Sequence, residues 1–208
     1  QSFMLLEHMK DKKVVLCTGE IFNRKSRDDE PKFEEPLFGG DIANISIIEN
    51  SDEAEKIYAC IENDGSLRNS LLIRDGGFRN PMTVENIEKQ TTNIPCMGVE
   101  MDGSNVFNFV QKEVPPMIDD ICKRADVTLD QIDYFLFHQP NKFMLQKLAE
   151  KLGVPYSKMP NDITEKLGNS DSGTIPAVMT NDVAEELMEK DNNITKLNKK
   201  KNNICTQL

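Results

Sequence analysis

The chain has 208 residues, 38% of them hydrophobic and 29% charged, and a formal net charge of −10. That length closes around one sizeable core or two small ones, and the balance is that of a globular protein. The acidity argues against general nucleic-acid binding, which needs clustered Lys and Arg, and no apolar run approaches the roughly 20 residues of a transmembrane helix. No basic segment leads into an apolar one at the N-terminus, so no address to a membrane or to export is expected. The five cysteines, Cys17, Cys60, Cys96, Cys122 and Cys205, are odd in number and contain no C-x-x-C pair. Free thiols in a reducing cytoplasm are the expectation, with no metal site.

Phe3, Met4, Leu5 and Leu6 make residues 2–10 read as the end of an apolar helix, on which His8 is a surface or partly packed residue. Residues 14–18 read as a short buried strand, which would leave Cys17 an inert small hydrophobe. Residues 20–36 are charge-dense and read as a surface excursion. Residues 42–48 and 56–61 have strand composition on either side of a polar turn, the signature of a hairpin. Residues 63–97, rich in Gly, Pro and polar side chains, read as an irregular or lid-like insertion, with a possible short strand at 71–74.

Ser104 is placed to cap a helix running to about residue 124, with Val106, Phe109, Val110 and Val114 on one side. Pro115 and Pro116 would kink or break it. Tyr134, Phe135, Leu136 and Phe137 do not alternate, so both faces of this strand should be covered. The run stops at His138-Gln139-Pro140-Asn141. Ligand sites of open α/β sheets lie at such strand ends, although a lone histidine there is more often a satisfied structural residue. Asn141 can cap a helix carrying Met144, Leu145, Leu148, Ala149 and Leu152, ended by Gly153. Residues 176–188 read as another helix, packing Val178, Met179, Val183 and Leu187, and from residue 191 the chain turns into a polar Asn- and Lys-rich tail.

Read together, His138-Gln139-Pro140-Asn141 and Gly168-Asn169-Ser170 resemble the His-Gln-x-Asn and Gly-Asn-(Thr/Ser) motifs of the β-ketoacyl-acyl-carrier-protein synthase III family, thiolase-fold condensing enzymes. Upstream, Met101-Asp102-Gly103-Ser104-Asn105-Val106-Phe107 is similar to the family's approach to a long helix. Leu37-Phe38-Gly39-Gly40-Asp41 is similar to its Phe-Gly-Asp turn, and Val14 to Glu20 to the strand before that turn. The resemblance implies an α/β fold of layered α/β/α type, a mixed sheet with flanking helices, holding mainly the second half of the thiolase fold. Residues 1–62 would be the remainder of the first half, 63–97 the insertion, 98–190 the condensing-enzyme domain and 191–208 the tail.

It further implies an acyltransferase of fatty-acid or related lipid biosynthesis, which condenses an acyl thioester with malonyl-acyl-carrier protein. His138 and Asn169 map to the donors that hold the enolate oxygen. Met101 and Phe107 map to residues bordering the pantetheine channel, and Pro140 and Asn141 flank the histidine. Lys142 is the expected carrier-protein contact, because the family's arginine two positions after that asparagine is replaced by Phe143. A lysine brings charge without bidentate phosphate geometry, and a local basic patch must outweigh the global acidity. No resident cofactor is implied; coenzyme A and phosphopantetheine thioesters are substrates. Acyl carrier protein, acyl-coenzyme A, and the missing N-terminal half or a homodimer partner are the expected partners.

The family's nucleophilic cysteine would precede Gln1, so the 208 residues alone are expected to be inactive, as a piece of a longer protein, an interrupted reading frame or a split gene. A non-catalytic thiolase-fold subunit is the alternative, while a Cys17–His138 hydrolase lacks any local nucleophile signature. His138 and Asn169 are expected to face one cavity. A half-fold should also expose apolar faces and self-associate.

Overall fold

The computed structural model describes residues 1–21, 39–51, 57–74, 76–85 and 99–188, and the backbone of 204–207. The chain begins with helix α1 (Ser2–His8) and strand β1 (Lys13–Glu20), and β1 pairs antiparallel with β2 (Ile42–Glu49) in a continuous register from Lys13↔Glu49 to Glu20↔Ile42. The hairpin expected between 42–48 and 56–61 does not form. Residues 57–61 carry no strand, and Ile57 and Ile61 are 61% and 84% exposed. β1 offers β2 a full-length partner rich in β-branched residues, which the shorter segment cannot match. Further on, β3 (Leu71–Ile73) pairs antiparallel with β4 (Val99–Met101). β3 was legible in the sequence; β4, three residues long, is too short for alternation to show.

Helix α2 (Gly103–Ala125) follows directly. Its cap is Asp102 rather than Ser104: the Asp102 carboxylate accepts the Asn105 N–H at 2.9 Å. Pro115 and Pro116 lie inside α2, which continues through them. Val114, Ile118 and Cys122, four residues apart, are all buried on one stripe, and that packing offsets the lost backbone bonds.

Strand β5 (Tyr134–Phe137) sits in the middle of the core. Phe135 and Phe137 join Val114, Ile118, Cys122, Leu145, Leu148 and Met159 on one face, drawing on α2 and on α3 (Lys142–Leu152). Leu136, pointing the other way, joins Ile163, Ile175, Ala177, Val178 and Val183. These come from α4 (Ile163–Leu167), α5 (Thr174–Asn181) and the turn after it. Both faces of β5 are therefore covered, as its unbroken apolar run requires. Asn141 caps α3 and Gly153 closes it at φ 68°, where a side chain would be strained. The helix expected over 176–188 starts earlier, at Thr174, and is interrupted at 182–183 before resuming at 184–188; Met179 is 40% exposed rather than packed. Residues 204–207 are not a frayed tail but strand β6 (Ile204–Gln207), parallel to β5 from Tyr134↔Ile204 to Phe137↔Gln207. The rest of 191–208, and the excursion at 22–36, lie outside the described residues.

One face of the β1–β2 pair is bare among the described residues. Val15, Ile45 and Ile47 are 58%, 73% and 67% exposed, and Cys17, paired with Ile45, is exposed beside them. The expectation of a buried Cys17 is thereby corrected: the strand is apolar on both sides, but only one side is packed. In α1, only Leu6 is buried, while Phe3, Met4 and Leu5 are more than half exposed. Contiguous apolar surface of this kind drives association. The 208-residue chain is expected to self-associate at micromolar concentration, and Ile45→Lys with Ile47→Glu to reduce it. Light scattering from a stable unmodified monomer would contradict this.

Candidate functional site

Where β5 ends, the backbone turns and His138 follows. Its Nδ1 lies 3.3 Å from the Thr174 hydroxyl at the start of α5, and Thr174 Oγ1 lies 3.4 Å from Ser170 Oγ. Both hydroxyl residues are fully buried. Burial pushes the His138 imidazole below the ordinary histidine range, opposed by the nearby Asp171 carboxylate and backbone. The ring is accordingly neutral at neutral pH, with one N–H to donate.

Asn169 follows α4 through Gly168, which has φ 71°. Two contacts hold Asn169: its carbonyl accepts the Gly40 N–H at 2.8 Å within a parallel bridge to Gly39, and its Oδ1 accepts the Asp171 N–H at 3.1 Å. The amide NH₂ is left without a partner among the described residues, so a pre-oriented donor is available. The loop beyond is pinned to the first sheet. Ser172 Oγ donates to Glu20 at 2.6 Å, and Asn44 Nδ2 donates to the Gly173 carbonyl at 3.1 Å. Gly173 has no room for a side chain: a Cβ there would lie 2.3 Å from Ile42 Cγ2.

Gln139 is fully buried and spans the gap between β5 and α4. Its Nε2 donates to the Pro160 carbonyl at 2.7 Å, while its Oε1 accepts from Thr164 N–H and Oγ1 at 3.2 and 3.1 Å. Asn44 carried no signal in the sequence, and the motifs that include Ser170 and Glu20 did not show the contacts these residues make. The Gly39-Gly40 turn is matched in the sequence as a turn, and the structure adds that it meets the Asn169 loop.

The remaining expected residues divide. Pro140 is half-buried beside His138, and Asn141 spends its side-chain oxygen on the Met144 N–H. Met101 is 51% exposed at the end of β4. Phe107 stacks on Phe143 with centroids 5.8 Å apart, at an open groove of about 410 Å³ lined also by Gln111, Lys147, Glu150 and Lys151. Lys142 is tied to Glu165 at 2.7 Å, a hydrogen bond that holds its ammonium above the usual lysine range. Lys147 is tied to Glu150 at 2.6 Å and lies 5.9 Å above the Phe143 ring. Of the three α3 lysines only Lys151 lacks an acidic partner among the described residues, so the face is more aromatic than basic.

Comparison with known proteins gives consistent results. Residues 122–197 match the family model described as 3-oxoacyl-acyl-carrier-protein (ACP) synthase III C terminal. The chain is 30% identical over 187 residues to a beta-ketoacyl-acyl-carrier-protein synthase III of Koribacter versatilis, covering 88% of this chain and 54% of that protein. It is 28% identical over 177 residues to the enzyme of the same name from Lactococcus lactis, covering 85% of this chain and 52% of that protein. A solved 3-oxoacyl-(acyl-carrier protein) synthase of Burkholderia xenovorans superposes with a TM-score of 0.72 at 27% identity, over 91% of this chain and 54% of that one. The chain thus spans about half the length of these relatives and has their thiolase-like α/β fold.

Proposed function

Because this chain is related in sequence and fold to the β-ketoacyl-acyl-carrier-protein synthase III family, we propose that it carries the enolate-stabilising half of a condensing-enzyme site. The reaction is decarboxylative condensation in fatty-acid or related lipid synthesis. Loss of CO₂ from a malonyl thioester leaves the bonding pair of the broken C–C bond in an enolate, with negative charge on the thioester oxygen. Two neutral donors, a His138 ring N–H and the Asn169 amide, hold that oxygen as the charge develops. Neutrality matters, since a protonated imidazole would be a stronger acid and would protonate the enolate carbon's partner oxygen rather than merely hold it. The enolate carbon then attacks an acyl thioester, and a cysteine thiolate leaves.

The observation that carries this reading is the buried hydroxyl chain from His138 through Thr174 to Ser170, the neighbour of Asn169, which joins two motifs distant in sequence. In this reading the acyl-bearing cysteine is neither Cys17, on the bare sheet face, nor Cys122, in the core against α3. It comes from outside residues 1–208, which by themselves do not turn over. Acyl-coenzyme A and acyl carrier protein are the substrates' carriers. The carrier docks on α3 beside Lys142, with the Phe107–Phe143 stack and Lys151 at hand.

A non-catalytic thiolase-fold subunit is the competing reading, favoured by Phe143 and by the engagement of Lys142 with Glu165. Malonyl-thioester decarboxylation separates the two, because it needs the donors and not the nucleophile. His138→Ala and Asn169→Ala are each expected to slow it by ~10²–10³-fold in the intact protein. A rate unchanged by both substitutions would leave the subunit reading standing.

A further inference from the structure

We infer that Gln139 is a positioning residue, whose side-chain amide fixes where the helix delivering Asn169 lies relative to His138. The carboxamide is 0% exposed, with Nε2 on the Pro160 carbonyl at 2.7 Å and Oε1 on both donors of Thr164 at 3.2 and 3.1 Å. Pro160 and Thr164 lie on either side of the start of α4 (Ile163–Leu167). One side chain at the end of β5 therefore grips the first turn of α4 from both sides. Its sequence neighbour is His138, so the grip and the imidazole share one short piece of backbone.

α4 rises only about 7.5 Å over its five residues, and Gly168 alone separates its end from Asn169. A displacement of its first turn is carried to its last. Other contacts hold α4 as well, among them exposed lysine ion pairs, Lys142 of α3 with Glu165 at 2.7 Å and Lys166 with Asp182 at 4.0 Å, which are weak and screened by solvent. Ile163, fully buried, packs in the cluster of Leu136 and Val178, which presses the helix onto the sheet without direction. Asp182 Oδ2, at the end of α5, accepts the Asp162 N–H at 3.1 Å, which ties the residue before α4 to its neighbouring helix. The hydrogen bonds of Gln139 are directional and come from the residue next to His138, two positions beyond the end of β5. An apolar residue of the same shape would leave the Pro160 carbonyl and the Thr164 N–H without these partners.

This inference rests on the reading of His138 and Asn169 as joint donors, but its test contains no thioester, so either can fail alone. The chain has two histidines, and His8 is exposed and remote from α4, which makes it an internal reference. Modification by diethyl pyrocarbonate, followed by peptide mass spectrometry across a pH series, reads the neutral fraction and access of each ring separately. Unmodified His138 should show a midpoint below the ~6.5 of a free imidazole. In Gln139→Met the loop bearing Ser170 and Thr174 lifts, water enters, the midpoint moves up towards that value, and His138 reacts several-fold faster relative to His8. Thr164→Val, which removes one of the three bonds and is the milder change, should shift both in the same direction by less. Leu148→Ala, which weakens the opposite core cluster, should lower the denaturation midpoint while leaving the His138 profile unchanged. An unshifted profile in Thr164→Val and Gln139→Met, or an equal shift in Leu148→Ala, would overturn the assignment.

Discussion

Gly40→Ala will cost the site its Asn169. A Cβ at residue 40 would lie 1.7 Å from the Leu167 carbonyl oxygen and 2.9 Å from its carbon. Both are backbone atoms, so no rotamer can make way; either the turn at 39–40 or the end of α4 must move. Moving either breaks the Gly40 N–H bond to the Asn169 carbonyl and the bridge that holds it. Overpacking against backbone costs about 1–3 kcal/mol. If Asn169 is one of two enolate donors, its displacement should also slow malonyl-thioester decarboxylation by ~10²-fold or more. Gly19→Ala is the matched control, because its Cβ would meet only the Ile42 carbonyl at 3.7 Å, an ordinary contact. A Gly40→Ala protein with unaltered stability and rate would show that the bridge does not place Asn169.

Phe135→Ala and Leu136→Ala should unfold the protein equally readily and yet differ at the site. Both residues are 0% exposed, and truncation leaves cavities costing about 3–5 kcal/mol for Phe and 2–5 for Leu. They face opposite ways from β5, however. Phe135 packs with α2 and α3, whereas Leu136 packs with Ile163 of α4 and Ile175 and Val178 of α5, the helices on either side of the Asn169 loop. Denaturant midpoints should fall for both. Decarboxylation, measured well below those midpoints, should fall further for Leu136→Ala. Equal loss of rate in the two variants would mean that the clusters do not act separately on the site.

The local elements were written in the chain where a residue's own chemistry decides its place. The Asn141 cap, the Gly153 stop and the α3 stripe need only one turn of helix and one apolar face to be read, and all three are present. The uniform apolar run of β5 likewise announced a strand covered on both faces. At α2, local reading chose the wrong cap. Asp102 and Ser104 are both good capping residues, and only the turn out of β4 determines which carboxylate or hydroxyl reaches the free N–H groups.

The candidate site divides in the same way. His138 and Asn169 could be named from their motifs, since an imidazole beside Gln-Pro-Asn and an amide after Gly168 are dense local patterns. What the sequence by itself determined was α1, α2, α3, the central strand and the two candidate donors, because capping, periodicity and motif are short-range; the five residues of α4 are too few for a helical period to show. Only the tertiary structure decided that β2 pairs with β1 and not with residues 57–61, that Cys17 is bare, and that β6 lies along β5. It also decided that Gly40, Asn44 and Glu20 hold the Asn169 loop from more than a hundred residues away. Strand pairing and burial depend on which surfaces compete for one another in space, and a backbone N–H or carboxylate carries no mark of the partner it will meet.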